Sequence, residues 1–254
     1  MVTPGPFLPG LDTPPPKAGK GPVPRGQAAP INNPADTFDH HQGETMTFPP
    51  DICKLIIKNM DIVEIIPEAR EATERQVFSA INARIEKAVG ERGDWKGCFD
   101  LVTEDDDGET SFAPDDWPES DDDCYMACYS LTCSPGESDD RSWLSCATGA
   151  NGASLCFELF LDPDLGGLSA LKLKRRLEAF FADNPEPGAA GFVLVPNTGR
   201  IIRPFSLDPE ELALAFPDPG ESLSRLDRAL EDVFRAHGAF DALVRRLARM
   251  GGDQ

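Results

Sequence analysis

Near residue 95 the hydrophobic pattern of this chain changes its period, and that change limits the folds open to it. Upstream, apolar residues recur every three or four positions: Ile52, Leu55, Ile56, Met60, Val63 and Ile66, then Val77, Phe78, Ile81, Ile85 and Val89. Such spacing lines them along one stripe of a helix. Downstream, Tyr125, Ala127, Tyr129 and Leu131 alternate with Met126, Cys128 and Ser130, which sends successive side chains to opposite faces of a strand. Helices followed by strands, rather than alternating units, point to an α+β arrangement.

The details fill in along the chain. A first helix, buried along its stripe, is predicted over 51–66 and ended by Pro67. A second over 68–89 stops at Gly90 and Gly93, since proline breaks and glycine closes helices. Strands are expected over 96–103 and near 111–113, with Asp105-Asp106-Asp107-Gly108 as a turn. Two hairpins follow: 142–148 with 154–161 through Asn151-Gly152, and 192–195 with 201–205 through Asn197-Thr198-Gly199, because Asn-Gly favours the positive-φ turns that match strand twist. A helix over 168–182 separates them, with Leu171, Leu177, Phe180 and Phe181 on its apolar side. Asp208-Pro209-Glu210-Glu211 is a helix start, an N-cap acid followed by proline in the first turn. Helices over 210–216, 221–236 and 240–250 finish the chain, the last two parted at Gly238. The expectation is a single α+β domain over 50–254, a mostly antiparallel sheet of about five to seven strands with helices at both ends packed on it.

Residues 1–49 hold eleven prolines and almost no β-branched or aromatic residues, too little apolar surface to offset chain entropy. They read as a disordered Pro-rich tail. Met46 is an alternative start, because His41-Gln42-Gly43-Glu44 is encodable by a purine-rich stretch resembling a bacterial ribosome-binding site. Asp39-His40-His41 resembles a phosphoesterase signature, but three residues in such a tail match by chance.

Charge is concentrated in one place. Fifteen Asp and Glu lie between Gly97 and Asp140 with no Lys or Arg among them, in a chain of net charge −20. A protein that neutralises phosphates needs the opposite balance, so direct nucleic-acid binding is not expected. No apolar run reaches the length of a bilayer span, and the N-terminus lacks an apolar leader core; the reading is a cytoplasmic protein off the membrane. In that reducing setting the seven cysteines are read as small buried hydrophobes.

Searches for chemistry end mostly in bland readings. Asp105, Asp107 and Gly108 would fill the middle of a calcium loop, but Thr103 and Pro114 fall where its end ligands belong, so a hydrated acid run is the simpler reading. Cys124, Cys128 and Cys133 lack the paired spacing and histidines of a zinc site. Ser145 has no glycine elbow, and His237, the one histidine beyond the tail, sits in a predicted helix near its end. Gly149-x-x-Gly152 precedes no helix that would hold a phosphate. Neither cofactor nor metal is called for. Glu158, alternating onto the face of Cys156 and Phe160, is the best candidate for a perturbed acid, its plainer role being an outward residue paired to Ser145 or Arg141.

The leading expectation is therefore a binding or regulatory protein, in the manner of immunity factors or mimics of DNA charge, engaging a basic protein. Its contact residues are Glu104, Asp105, Asp106, Asp107, Trp117, Asp121, Asp122, Asp123 and Tyr125 in a loop over 104–123. Charge would speed encounter and the rings would anchor it. The alternatives are a carboxylate- or metal-dependent hydrolase around Glu158 and an accessory domain without chemistry.

Overall fold

The computed structural model describes residues 49–102, 108–119, 125–134, 142–196 and 198–251. The chain divides after Pro49, and the tail expected before it lies outside the described residues. Among the described residues from Pro50 onward there are seven α-helices and a six-stranded antiparallel sheet, an α+β fold. The helices are α1 (Pro50–Lys58), α2 (Met60–Gly90), α3 (Trp143–Thr148), α4 (Ala170–Asp183), α5 (Pro185–Ala189), α6 (Pro209–Ala215) and α7 (Ser224–Gly251). The strands are β1 (Trp95–Phe99), β2 (Thr110–Pro114), β3 (Ala127–Cys133), β4 (Leu155–Leu161), β5 (Val193–Leu194) and β6 (Ile201–Phe205), in the spatial order β1-β2-β3-β4-β6-β5.

Register explains the two faces of the sheet. Phe112, Tyr129, Leu159 and Ile201 stand opposite one another across β2, β3, β4 and β6. All are buried, and Phe240 of α7 packs against Tyr129. The neighbouring row on the other face is Cys98, Ser111, Ser130 and Glu158, a line of thiol, hydroxyls and carboxylate. Gly97 sits in β1 because a Cβ there would lie 2.6 Å from the Ser111 carbonyl oxygen and 2.9 Å from Phe112 Cβ.

The predicted stripe of α2 is the one that is buried: Val77, Phe78, Ile81, Ile85 and Val89. Its few polar intruders are bonded. Asn82 donates to the Leu101 carbonyl at 2.9 Å and accepts from Thr110 Oγ1 at 2.7 Å. Glu74 accepts the Leu144 N–H at 2.8 Å, satisfying a donor in the first turn of α3.

Several expectations are corrected. The first helical segment breaks at Asn59, not at Pro67, which α2 carries inside it; around Pro67 the helix is exposed, so water satisfies the carbonyl that proline leaves unbonded. Nor is that segment buried along its stripe, for α1 has no buried residue. Residues 142–148 are not a strand but Ser142 and α3: Ser142 Oγ accepts the Ser145 N–H at 3.2 Å, and Gly149 closes the helix at φ 72°. Gly238 does not break the last helix, which runs unbroken to Gly251. The 193–194 and 201–202 pairing stands as expected.

The cysteines also depart from expectation. Cys133 at the end of β3 and Cys146 in α3 form a disulfide, where the sequence predicts buried thiols. Cys128 and Cys156 are buried on strands, whereas Cys98 is exposed. Burial pushes the Cys128 thiol up to about 11.

Candidate functional site

In an antiparallel meander, consecutive connections leave from alternate ends of the sheet. The chain leaves β1 at Phe99 and enters β2 at Thr110, then leaves β2 at Pro114 and enters β3 at Ala127. The acidic runs 104–107 and 121–123 therefore belong to the connections that join opposite ends of β2, ends that stand about 13 Å apart along the strand. All five residues of β2 are buried. The single acidic loop over 104–123 is thus two segments with core between them, a correction that follows from β2 itself. Glu104, Asp105, Asp106, Asp107, Asp121, Asp122 and Asp123 lie outside the described residues.

At the first end the described acids are structural. The Asp100 N–H donates to the Glu109 carbonyl at 3.0 Å, and Asp100 Oδ1 accepts the Glu109 N–H at 2.9 Å, pinning the connection at its base. Beside this pin Val102 has φ 57°, a strained conformation for a β-branched residue.

The second end gathers Asp94, Asp115, Asp116 and Glu119. Asp115 donates its N–H to the Asp94 carbonyl at 2.9 Å, so these two acids are held together. Every base nearby is engaged: Arg92 lies 3.9 Å over the Phe234 ring, Lys96 pairs with Glu119, and Arg245 bridges Asp116 and Asp241. The hydrogen bond to Glu119, against a small opposing effect of burial, raises the Lys96 pKa. Asp94 and Asp115 have no ion-pair partner among the described residues.

Trp117 sits beneath these acids rather than on the surface. It is 3% exposed, lies tilted against Tyr129 with ring centroids 5.4 Å apart and donates Nε1–H to Asp241 at 3.1 Å. Tyr125 is half-buried, bridged to Glu119 and 5.8 Å from Lys96 Nζ. So the structure brings Trp117 and Tyr125 to the acidic end, but assigns Trp117 to the core.

Sequence reasoning puts His237 near a helix end and gives it no part in the site, which the structure corrects. It stands mid-helix in α7, 4.8 Å from Trp95 and 5.6 Å from Trp117 by ring centroids. Burial lowers its pKa; Asp241, Asp116 and Asp94 pull it upward but are outweighed. For Asp241 burial works to raise the pKa, yet the hydrogen bonds from Arg245 and Trp117 win and hold it low. His237 Nδ1 and the Tyr129 hydroxyl are buried without a hydrogen-bond partner. An i to i+4 relation between His237 and Asp241 was the available signal.

Glu158 is held by a guanidinium across the sheet face. Arg200 Nε donates to its Oε1 at 2.8 Å, and Nη2 reaches its Oε2 and, at 3.2 Å, Thr132 Oγ1. Its partner among the described residues is thus Arg200 rather than Ser145, and Arg141 lies outside the described residues. Among the described residues no group of three or more His, Cys, Asp or Glu is placed to hold a metal ion, and no helix is long and apolar enough to cross a membrane. A groove of about 520 Å³ opens between α2, α3 and α6, with Arg70, Thr73, Val77, Leu212 and Phe216 in its wall. No protein-family model matches the chain, and no curated protein or solved structure matches it.

Proposed function

We propose that this is a binding or regulatory protein whose acidic sheet end engages a basic protein partner. The observation that carries the reading is the second end of β2: Asp94 and Asp115 are held together and exposed, and neither forms an ion pair among the described residues, where Lys96 pairs with Glu119 and Arg245 with Asp116 and Asp241. Residues 121–123, three consecutive aspartates, belong to the connection that leaves from this same end. A surface of one sign accelerates encounter with a basic patch and rejects acidic competitors. Trp117 supports that end from below instead of reaching into the partner.

The hydrolase alternative is less favoured, because the Glu158 carboxylate is occupied by two hydrogen bonds from the Arg200 guanidinium. Cytoplasmic residence is part of the proposal drawn from sequence; the Cys133–Cys146 disulfide weighs toward an oxidising compartment.

The test is affinity capture by the full chain from its native cell at low and high salt, beside two variants. One carries Asp94→Asn, Asp115→Asn, Asp121→Asn, Asp122→Asn and Asp123→Asn; the other carries Glu104→Gln, Asp105→Asn, Asp106→Asn and Asp107→Asn. A basic protein captured by the wild type, released by salt and lost only with the first variant is the expected result. Capture that ignores both variants and salt overturns the charge-driven reading.

A further inference from the structure

The segment 50–66, comprising α1 and the first turns of α2, is built as though something covers it. Ile52, Leu55, Ile56, Met60, Ile62 and Ile66 are each 39–63% exposed. Ile57, about 100° around α1 from Ile56, and Ile65, beside Ile62 on α2, are also exposed. A helix apolar on several sides is ordinarily a buried one. Summed over the several sides of the helices, the exposed apolar area on this arm is on the order of 800 Å², of the same order as one side of a standard protein interface.

We infer that a second copy of this chain covers the arm, the two arms pairing antiparallel about a two-fold axis near Asn59. The arm's charges argue for self-pairing. It carries Asp51, Lys54, Lys58, Asp61 and Glu64, a net of −1 where the whole chain has −20, so two copies meet here with little repulsion. Its first half holds both lysines and its second half two acids. Antiparallel apposition sets each half against its opposite and also opposes the helix dipoles. The resulting contact is isologous and closed, which limits assembly to a dimer.

Reach supports the same arrangement. With Asn59 facing Asn59, the Pro50 end of one arm arrives beside residues 67–70 of the other copy. There lies the mouth of the groove walled by Arg70, Thr73, Val77, Leu212 and Phe216. Asp51, which also pairs with Lys54 of its own helix at 3.2 Å, comes within reach of the Arg70 guanidinium there, and Ile52 within reach of an apolar cleft. This pairing is independent of the acidic sheet end.

Sedimentation velocity of the full-length protein over a range of concentrations provides the test. The wild type is expected to dimerise at micromolar concentration, and Ile56→Glu with Ile62→Glu to leave it monomeric with an unchanged urea midpoint, because both positions are exposed. Lys54→Glu with Lys58→Glu should weaken the dimer about tenfold, and adding Asp61→Lys and Glu64→Lys to the same chain should restore it. A wild type that stays monomeric, or a dimer indifferent to the glutamates, overturns the inference. So does a monomer that co-floats with phosphatidylcholine vesicles, which would make a lipid surface the occupant. A dimer indifferent to the charge exchanges overturns the antiparallel arrangement.

Discussion

Tyr129 occupies the middle of the sheet with its ring against Trp95, Phe112, Trp117 and Phe240 and its hydroxyl unbonded. An unsatisfied buried hydroxyl costs about 1 to 3 kcal/mol, so Tyr129→Phe should stabilise the fold by roughly 1 kcal/mol in urea titrations. A loss of stability would mean that the hydroxyl is bonded. His237 gives a prediction with a sign. Burial holds its folded pKa below the ordinary 6.5, so at lower pH the unfolded chain takes a proton that the folded one refuses, and stability falls. The groups facing it are Trp95, Trp117, Asp94, Asp116, Asp241 and Arg92. Between about pH 7.5 and about pH 5.5 the wild type should lose more stability than His237→Phe, measured by chemical denaturation at each pH; equal losses would count against this account. Neither residue's role was legible beforehand. Alternation shows that Tyr129 faces inward, but no local pattern reveals that its hydroxyl lacks a partner, because Asp241 and Trp117 come from far along the chain.

Among the elements, legibility followed whether local signals and tertiary packing agreed. The stripe Val77, Phe78, Ile81, Ile85 and Val89 was readable because burial in α2 repeats the helical period. Asp208 announced α6, and its carboxylate does accept the N–H groups of Glu210 and Glu211. By contrast, Asn151-Gly152 suggested a hairpin, while the capping pair of Ser142 with Ser145 and the left-handed Gly149 were the signals that mattered. The acidic site was half readable: its charge is in the sequence, but its division depends on Thr110–Pro114 pairing on both sides. Covalent linkage of β3 to α3 by Cys133–Cys146 closes a short loop, their sequence separation being 13. Reduction, or Cys133→Ser with Cys146→Ser, should cost about 3 kcal/mol. A urea midpoint that does not move on reduction would place the two sulfurs apart in the folded protein.

For the molecule as a whole, the formal net charge of −20 repels itself most in the compact state. Raising NaCl from about 10 mM to about 500 mM screens that repulsion more than it weakens the few surface pairs, so the melting temperature should rise. A fall in a scanning-fluorimetry series would show that pairs such as Arg245 with Asp116 and Asp241 dominate instead. The order of events during synthesis follows from α7. Trp95, Phe112 and Tyr129 belong to the first three strands, yet Phe234, His237 and Phe240 of the last helix supply rings that close over Trp95 and Tyr129. On the ribosome those strands emerge long before their cover does. The nascent sheet must wait with its aromatic face open, a natural client for chaperones, until the final helix is released and seals it.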